Sequence, residues 1–179
     1  MSKLLYSVTM SLDGFIAGPG GDMSWLAEHD GPNPAVDGLV DQVGALLVGN
    51  RTFRGDDPNR GTSAQGAFGG RWTGPQFVLT HSPPAEPVPG VTFVSDLYRG
   101  VTAAKAAAAG KYVNVLGAST AQQCLAAGVL DEVLVCVAPV LLGDGVRFFT
   151  KLGGTNVKLE RLSLSDAPGA TNMWLRVVR

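Results

Sequence analysis

Apolar and polar residues alternate along LLYSVTM, the period-two pattern of a first strand starting at Leu4. The pattern changes to helical spacing in AVDGLVDQVGA, where Val36, Leu39, Val40 and Val43 fall on one side, and the short strand LLVG follows. QFVLTH and VTFV read as a third and a fourth strand, separated by the proline-rich surface turn SPPAEPVPG. Asp96 then caps an alanine-rich helix through Leu97, Val101, Ala104 and Ala108 that ends at Gly110. The buried run YVNVL leads into a turn of Gly117, Ala118, Ser119 and Thr120, which opens the apolar-striped helix AQQCLAAG, closed by Gly128 at its C′ position. VLDEVLVCVAPVLL returns as a long strand apolar on both faces, covered on both sides. The segment VKLERLSLSDAPGATNMWLRVV reads as two antiparallel strands around a turn at 167–170. Strands alternating with helices, then strands alone, predict an α/β domain with a mostly parallel sheet and an antiparallel C-terminal edge.

Two segments break this rhythm. Residues 11–34 are glycine-rich and hold Asp13, Asp22 and Trp25, and the stretch is too long for a mere connection. Its Phe15, Ile16, Trp25 and Leu26 argue against disorder. Residues 54–75 form a second glycine-rich flap, with Phe68 and Trp72 as anchors.

A chain of 179 residues suits one domain with an ample core, spanning 1–179. Only 16% of residues are charged and the formal net charge is −1, which disfavours nucleic acid and anionic membranes as partners. The start of the chain has neither the apolar core nor the cleavage site of a secretory signal, no apolar stretch suits a bilayer, and a cytoplasmic protein is expected. Cys124 and Cys136 lack metal-ligand spacing and sit among apolar neighbours, so both are expected as buried free thiols, with no metal.

Two turns follow strands and precede helices. At Gly117, Ala118, Ser119 and Thr120, small residues and the free N–H groups of a helix start suit a phosphate, although a plain strand-to-helix connection reads the same way. Gly49, Asn50, Arg51 and Thr52 form the second turn: Arg51 offers a charge-assisted donor fork and Thr52 a cap hydroxyl, against the plainer reading of a surface arginine in a loop. Asp13 stands where the chain leaves the first strand, either to accept hydrogen bonds from a substrate or to fix the Asp-Gly turn.

The segments SVTMSLDGFIAGPGGDMSWL, ALLVGNRTF and VNVLGASTAQQCLAAGVLDEVLVCVAPVLLGDGVRFF, taken in this order, resemble the dihydrofolate-reductase-like superfamily from Leu4 to about Val178. The branch they are most similar to holds the reductase domain of bacterial riboflavin biosynthesis and its uncharacterised relatives. The resemblance implies a three-layer α/β/α fold and an NADPH-dependent reductase acting on a C=N or C=O bond of a small pteridine-, pyrimidine- or sugar-derived substrate. It implies that Gly49, Asn50, Arg51 and Thr52 bind the cofactor pyrophosphate together with Gly117, Ala118, Ser119 and Thr120. Thr80, His81 and Ser82 would hold the adenosine ribose and its phosphate; no acidic residue stands among them, which favours NADPH over NADH. For His81 an exposed loop histidine is the alternative. Ser11, Leu12, Asp13, Ile16 and Ala17 would lie around the nicotinamide and substrate, with Trp25 in the covering loop and Leu142 and Gly143 of PVLLGDG lining the substrate side.

Two residues are candidates for the chemistry itself, Asp13 and Asp30. Asp30 has the offset from Trp25 that the acid of dihydrofolate reductases has from its tryptophan, although Pro32 and Pro34 argue for loop there. A homodimer through the late strands is implied too, covering apolar surface near Phe148, Phe149 and Trp174. The deaminase domain often fused ahead of that reductase is not in this sequence, which weakens a role in riboflavin synthesis. The rival reading is a nucleotide-binding or scaffold protein that keeps the fold without turnover.

Overall fold

The computed structural model describes residues 1–29, 31–55, 61–150 and 156–179. In chain order the elements begin with β1 (Leu4–Ser11), β2 (Phe15–Ala17), α1 (Pro34–Val40), β3 (Val43–Gly49) and α2 (Asn50–Arg54). They continue with β4 (Gln76–Leu79), β5 (Val91–Val94), α3 (Leu97–Ala107), β6 (Tyr112–Leu116) and α4 (Ala118–Ala126). The last are β7 (Glu132–Ala138), β8 (Val146–Arg147), β9 (Leu159–Ala167) and β10 (Ala170–Val177). An eight-stranded sheet has the order β5-β4-β3-β6-β1-β7-β10-β9. Neighbours from β5 to β7 run parallel, whereas β10 pairs antiparallel with both β7 and β9. This is the mostly parallel sheet with an antiparallel edge that the sequence predicts.

Strand alternation divides the core. Leu4, Tyr6, Ala45, Leu47, Val113 and Val115 face α3 and α4, meeting Val101, Ala104, Ala121 and Cys124. Leu5, Leu46, Val48, Leu134 and Cys136 face the other way and meet Leu39 and Val40 of α1 together with Trp72. Helices therefore cover both faces, as parallel strands require. Asp96 caps α3 as expected, accepting from the Arg99 N–H at 2.8 Å. Trp72 anchors the second flap by donating from Nε1 to the Val43 carbonyl at 2.9 Å. Both cysteines are buried and free, and burial pushes the thiols up, Cys124 to about 12 and Cys136 to about 11.

Several expectations need correction. The late strand ends at Ala138 instead of running to Leu142, because Pro139 has no N–H to continue a ladder and Val140 N–H turns back to the Ala138 carbonyl at 2.8 Å. α1 stops at Val40, and Val43 begins β3. Residues 11–34 are largely structured: β2 pairs with β8, and 3₁₀ turns occupy Pro19–Gly21 and Ser24–His29. Phe148, Phe149 and Trp174 are not a leftover surface. Phe148 stacks on Tyr6 with ring centroids 5.5 Å apart, Phe149 meets both rings edge-on, and Trp174 packs beside Tyr112. The exposed apolar residues of this end lie instead on β9, at Leu159, Leu162 and Leu164.

The amino edge of the sheet is held by two adjacent acids. Glu132, only 2% exposed, accepts from Lys3 Nζ at 2.7 Å, Tyr112 Oη at 2.9 Å and Trp174 Nε1 at 2.8 Å. Asp131 accepts from the Leu4 N–H at 2.8 Å and pairs with Lys105 and Arg179. Between them they join β1, α3, β6, β10 and the end of the chain to the start of β7. Removing the Glu132 carboxylate would leave the Tyr112 hydroxyl and the Trp174 indole N–H without their acceptor, whereas the half-exposed Lys3 can rehydrate. Glu132→Ala should therefore lower stability by about 2–4 kcal/mol, read from urea unfolding midpoints. A loss under about 1 kcal/mol would show that water replaces the carboxylate at no great cost.

Candidate active site

Six parallel strands deliver the segments that follow them to one edge, where the two turns singled out in the sequence meet. β3 and β6 are neighbours, with Val48 opposite Leu116, so Gly49 and Gly117 leave the sheet side by side. A Cβ built on Gly49 would stand 2.6 Å from Thr120 Oγ1, and one on Gly117 would stand 2.6 Å from Thr52 Oγ1. Each glycine thus makes room for the threonine of the opposite turn. The sequence suggested that the missing side chain of Gly117 admits a ligand; in the structure it admits Thr52. Gly117 also has φ 101°, a conformation strained for any residue with a side chain. Thr52 lies inside α2, whose N-cap is Gly49, so it does not serve as a cap. Neither helix has a side-chain hydrogen bond at its N-cap. Ala118 and Ser119 open α4, Ser119 exposed and Thr120 buried, while Arg51 is exposed on α2.

The neighbouring turn after β4 comes to the same place because Gly49 pairs with Leu79. Thr80 is buried and its Oγ1 accepts from the Ser82 N–H at 3.0 Å, while His81 and Ser82 are exposed. Arg54 ties this turn to α2: its Nε donates to Asn50 Oδ1 at 2.9 Å and its Nη2 to the Ser82 carbonyl at 2.7 Å.

At the end of β1 the Asp13 carboxylate is engaged by its own chain. It accepts from Ser11 Oγ at 2.6 Å, from the Leu142 N–H at 3.1 Å and from the Gly143 N–H at 2.7 Å. Ser11 Oγ in turn accepts from the Phe15 N–H at 3.0 Å. Of the two roles open to Asp13, the structure displays a local and long-range clamp. The Ser11 hydroxyl, followed by the Gly143 and Leu142 N–H groups, lowers its pKa to about 2, so the group is a carboxylate throughout the neutral range. The clamp brings Leu142 and Gly143 to Ser11 and Asp13, as the sequence grouped them. Farther along, Gly145 lies against the Ala17 carbonyl with no room for a Cβ, and Arg147 stands 4.6 Å over the Phe15 ring. The covering loop and the segment after β7 are therefore one clasped unit.

A cleft of about 150 Å³ opens beside this unit on the α1 face, lined by Thr9, His29, Asn33, Asp37, Arg71 and Cys136 among others. Its base is a reciprocal amide pair: Asn33 Nδ2 donates to Asn172 Oδ1 at 2.9 Å and Asn172 Nδ2 donates back to Asn33 Oδ1 at 3.0 Å. Asn33 also caps α1, accepting from the Ala35 N–H at 3.2 Å. Arg71 meets Asp37 at 2.6 Å on the rim. Trp25 adjoins this wall through His29, with ring centroids 6.1 Å apart, and its buried Nε1 has no partner. Asp30 lies outside the described residues. Among the described residues, none that the sequence assigned to the cofactor or substrate site lines this cleft. One signal was available: Ser7, Thr9 and Ser11 place polar groups on a single face of a strand at the middle of the sheet. Among the described residues no cluster of His, Cys, Asp or Glu has the geometry of a metal site, and no helix is long and apolar enough to cross a membrane.

The family model described as the RibD C-terminal domain matches residues 2–106 and 101–169. A putative riboflavin biosynthesis protein from Shewanella sp. PV-4 shares the fold with a TM-score of 0.76 at 23% identity, over 100% of both chains. The diaminohydroxyphosphoribosylaminopyrimidine deaminase/5-amino-6-(5-phosphoribosylamino)uracil reductase of Thermotoga maritima has a TM-score of 0.70 at 19% identity, covering 99% of this chain and 57% of that longer one. Dihydrofolate reductase from Enterococcus faecalis, solved with NADP(H), has a TM-score of 0.60 at 16% identity, covering 98% and 95%. The fold is thus dihydrofolate-reductase-like.

The clamp at Asp13 makes a test of its own. Because its folded pKa is depressed from 3.8 to about 2, its stabilising contribution is complete above the ordinary value and is lost as pH falls toward 2. Asp13→Ala should speed amide exchange at Leu142 and Gly143 several-fold at neutral pH, with the β3 and β6 amides unchanged. Equal protection in both proteins would mean that Asp13 does not hold this segment.

Proposed function

The chain belongs to the RibD C-terminal domain family, and we propose that it is an NADPH-dependent reductase. It would reduce a C=N or C=O bond of a small pteridine-, pyrimidine- or sugar-derived substrate. The single observation that carries this reading is the meeting of the Gly49 and Gly117 turns. Two helix starts without side-chain caps, with Arg51 beside them, form a donor-rich edge that fits a diphosphate. Gly49, Asn50, Arg51 and Thr52 would hold one phosphate, and Gly117, Ala118, Ser119 and Thr120 the other. Thr80, His81 and Ser82 would receive the adenosine ribose, leaving Ser11, Ala17 and the clasped loop at the nicotinamide end.

When bound, the cofactor supplies the hydride. The chain's own residues do the rest by position. The loop pinned by Asp13, Gly145 and Arg147 covers the reacting end and excludes water. The cleft at Thr9, His29 and Asn33, next to that end, is the substrate's place, with Trp25, Leu142 and Gly143 closing it. Asp13, already ionised, does not donate the proton; Asp30 or a water admitted through the cleft does.

The reading extends to assembly. Leu164 and Leu159 of β9 pair with Met173 and Val177 of β10, on the face that β10 shares with the α3 and α4 core but beyond those helices. Covering this strip with a second copy gives a twofold homodimer. Sedimentation equilibrium at tens of micromolar should show twice the 18.6 kDa chain mass, and a single-chain species alone would refute the dimer.

Arg51→Ala should weaken NADPH by about 10- to 150-fold, the loss of one charge-assisted hydrogen bond, and leave turnover at saturating cofactor nearly unchanged. Calorimetric titration with NADPH tests this directly. Wild-type protein that fails to bind millimolar NADPH would sink the reductase reading, and unaltered affinity in the variant would remove Arg51 from the site.

A further inference from the structure

The rim of the cleft carries a charge pair with more construction around it than a surface contact needs. Arg71 comes from the second flap and is held from two directions. Its Nε donates to the Phe68 carbonyl at 3.1 Å, and its Nη1 donates to Asp37 Oδ1 at 2.6 Å. Phe68 takes the left-handed backbone conformation, φ 54°, uncommon for a residue with a side chain, and Trp72, next after Arg71, anchors the flap to Val43. Asp37 lies in the first turn of α1, where its charge also complements the helix dipole. Both side chains are about half exposed, and such pairs contribute little to stability. The consequence of this one lies in the charge it leaves to the cleft.

The rest of the lining gives an anion little to hold. At the base each amide nitrogen already donates twice: Asn33 Nδ2 to Asn172 Oδ1 at 2.9 Å and Cys136 Sγ at 3.7 Å, and Asn172 Nδ2 to Asn33 Oδ1 at 3.0 Å and Ser165 Oγ at 3.3 Å. Burial pushes the Cys136 thiol up to about 11, so it stays neutral at neutral pH. Among the described lining residues the basic side chains are His29 and Arg71, and the Arg71 charge is already met by Asp37. An entering anion must take Arg71 away from Asp37 or settle beside that carboxylate, where like charges repel. An uncharged group meets neither obstacle. Arg71 Nη2, which makes no hydrogen bond among the described residues, remains for a neutral acceptor.

Resting on the reading of this cleft as the substrate's place, the structure assigns Asp37 a specificity role: by holding the Arg71 charge it excludes anions, and the group that enters the cleft is an uncharged carbonyl or imine compound. The volume of about 150 Å³ restricts that group to one ring or a short chain, since sites for drug-sized ligands run to about 300–1,000 Å³.

The test is an NMR titration of the full chain that follows the amides of Gly31, Gly169 and Ala170, all of which line the cleft. Millimolar inorganic phosphate should give no saturable shift in the wild-type protein. Asp37→Asn frees the guanidinium at unchanged side-chain size and should bind phosphate at least about tenfold more tightly, as expected for one charge-assisted hydrogen bond. Combining Asp37→Asn with Arg71→Gln should abolish the gain, which locates the anion on Arg71 and not on His29. Phosphate bound as tightly by wild type as by Asp37→Asn would overturn the exclusion. Binding in neither would overturn it too, because a freed Arg71 would then hold no anion, and binding that survives in the double variant would overturn the assignment to this pair. Uracil, an uncharged ring with two carbonyl groups, should shift the same amides in wild type and Asp37→Asn alike. If uracil leaves them unmoved while phosphate behaves as expected, the substrate reading of the cleft falls together with the selectivity drawn from it, and Asp37 stands only as the partner that holds the Arg71 charge.

Discussion

Two glycines that cannot carry a Cβ set the geometry of the candidate site. Parallel neighbours such as β3 and β6 bring their following turns together in any sequence, but how closely they approach depends on what stands at the first residue out of the sheet. Here each turn is bare at that residue and carries a threonine three residues later, and each threonine fills the space left by the other turn's glycine. The contact is small in area, and its effect is directional: it fixes two helix starts, and hence two sets of unpaired N–H groups, at one separation and angle.

The loops around that edge are held by polar contacts from their own chain. Ser11, Asp13 and the N–H groups of Leu142 and Gly143 make a closed network in which a carboxylate is the shared acceptor. The β2–β8 pairing and the close approach of Gly145 to Ala17 add backbone contacts on the same seam. The cleft wall is built likewise, from amide against amide at Asn33 and Asn172. A site assembled in this way has its walls determined by groups that cannot at the same time serve a ligand. Arg51, His81 and His29 stand on the rim of these networks.

Most of the fold was legible in the sequence because periodicity is a local property, and the core elements are long enough to display it. β1, β3, β6, α3, α4 and the terminal hairpin all follow from their own residues. β2 and β8 did not, since strands of three and two residues have no period to read. The late strand was drawn too long, because apolarity continues past Pro139 while the ladder cannot. Phe148, Phe149 and Trp174 were given to the surface for a related reason: composition says that such side chains need cover, and only the tertiary structure says that Tyr6 and Tyr112 provide it. The turns Gly49–Thr52 and Gly117–Thr120 could be singled out as candidates for an anion, but the partner of each glycine was not visible. The cleft was invisible for a topological reason. Its residues come from β1, the covering loop, α1, the second flap, β7 and the turn before β10, and no segment of the sequence bears its pattern alone.

Glu132 begins β7 and Asp131 immediately precedes it, and the far end of that strand leads into the loops of the candidate site. The anchoring of the N-terminus, α3, β10 and the last residues is thus concentrated at the edge of the sheet remote from those loops. Substitutions that reshape the loop edge leave this anchor intact, and substitutions in the anchor do not alter the geometry of the loop edge directly. Such a division of labour gives a lineage latitude to diversify its substrates: new loop sequences can be tried against a scaffold whose cohesion does not depend on them. Relatives could then differ widely in what they transform while remaining recognisable by their strands.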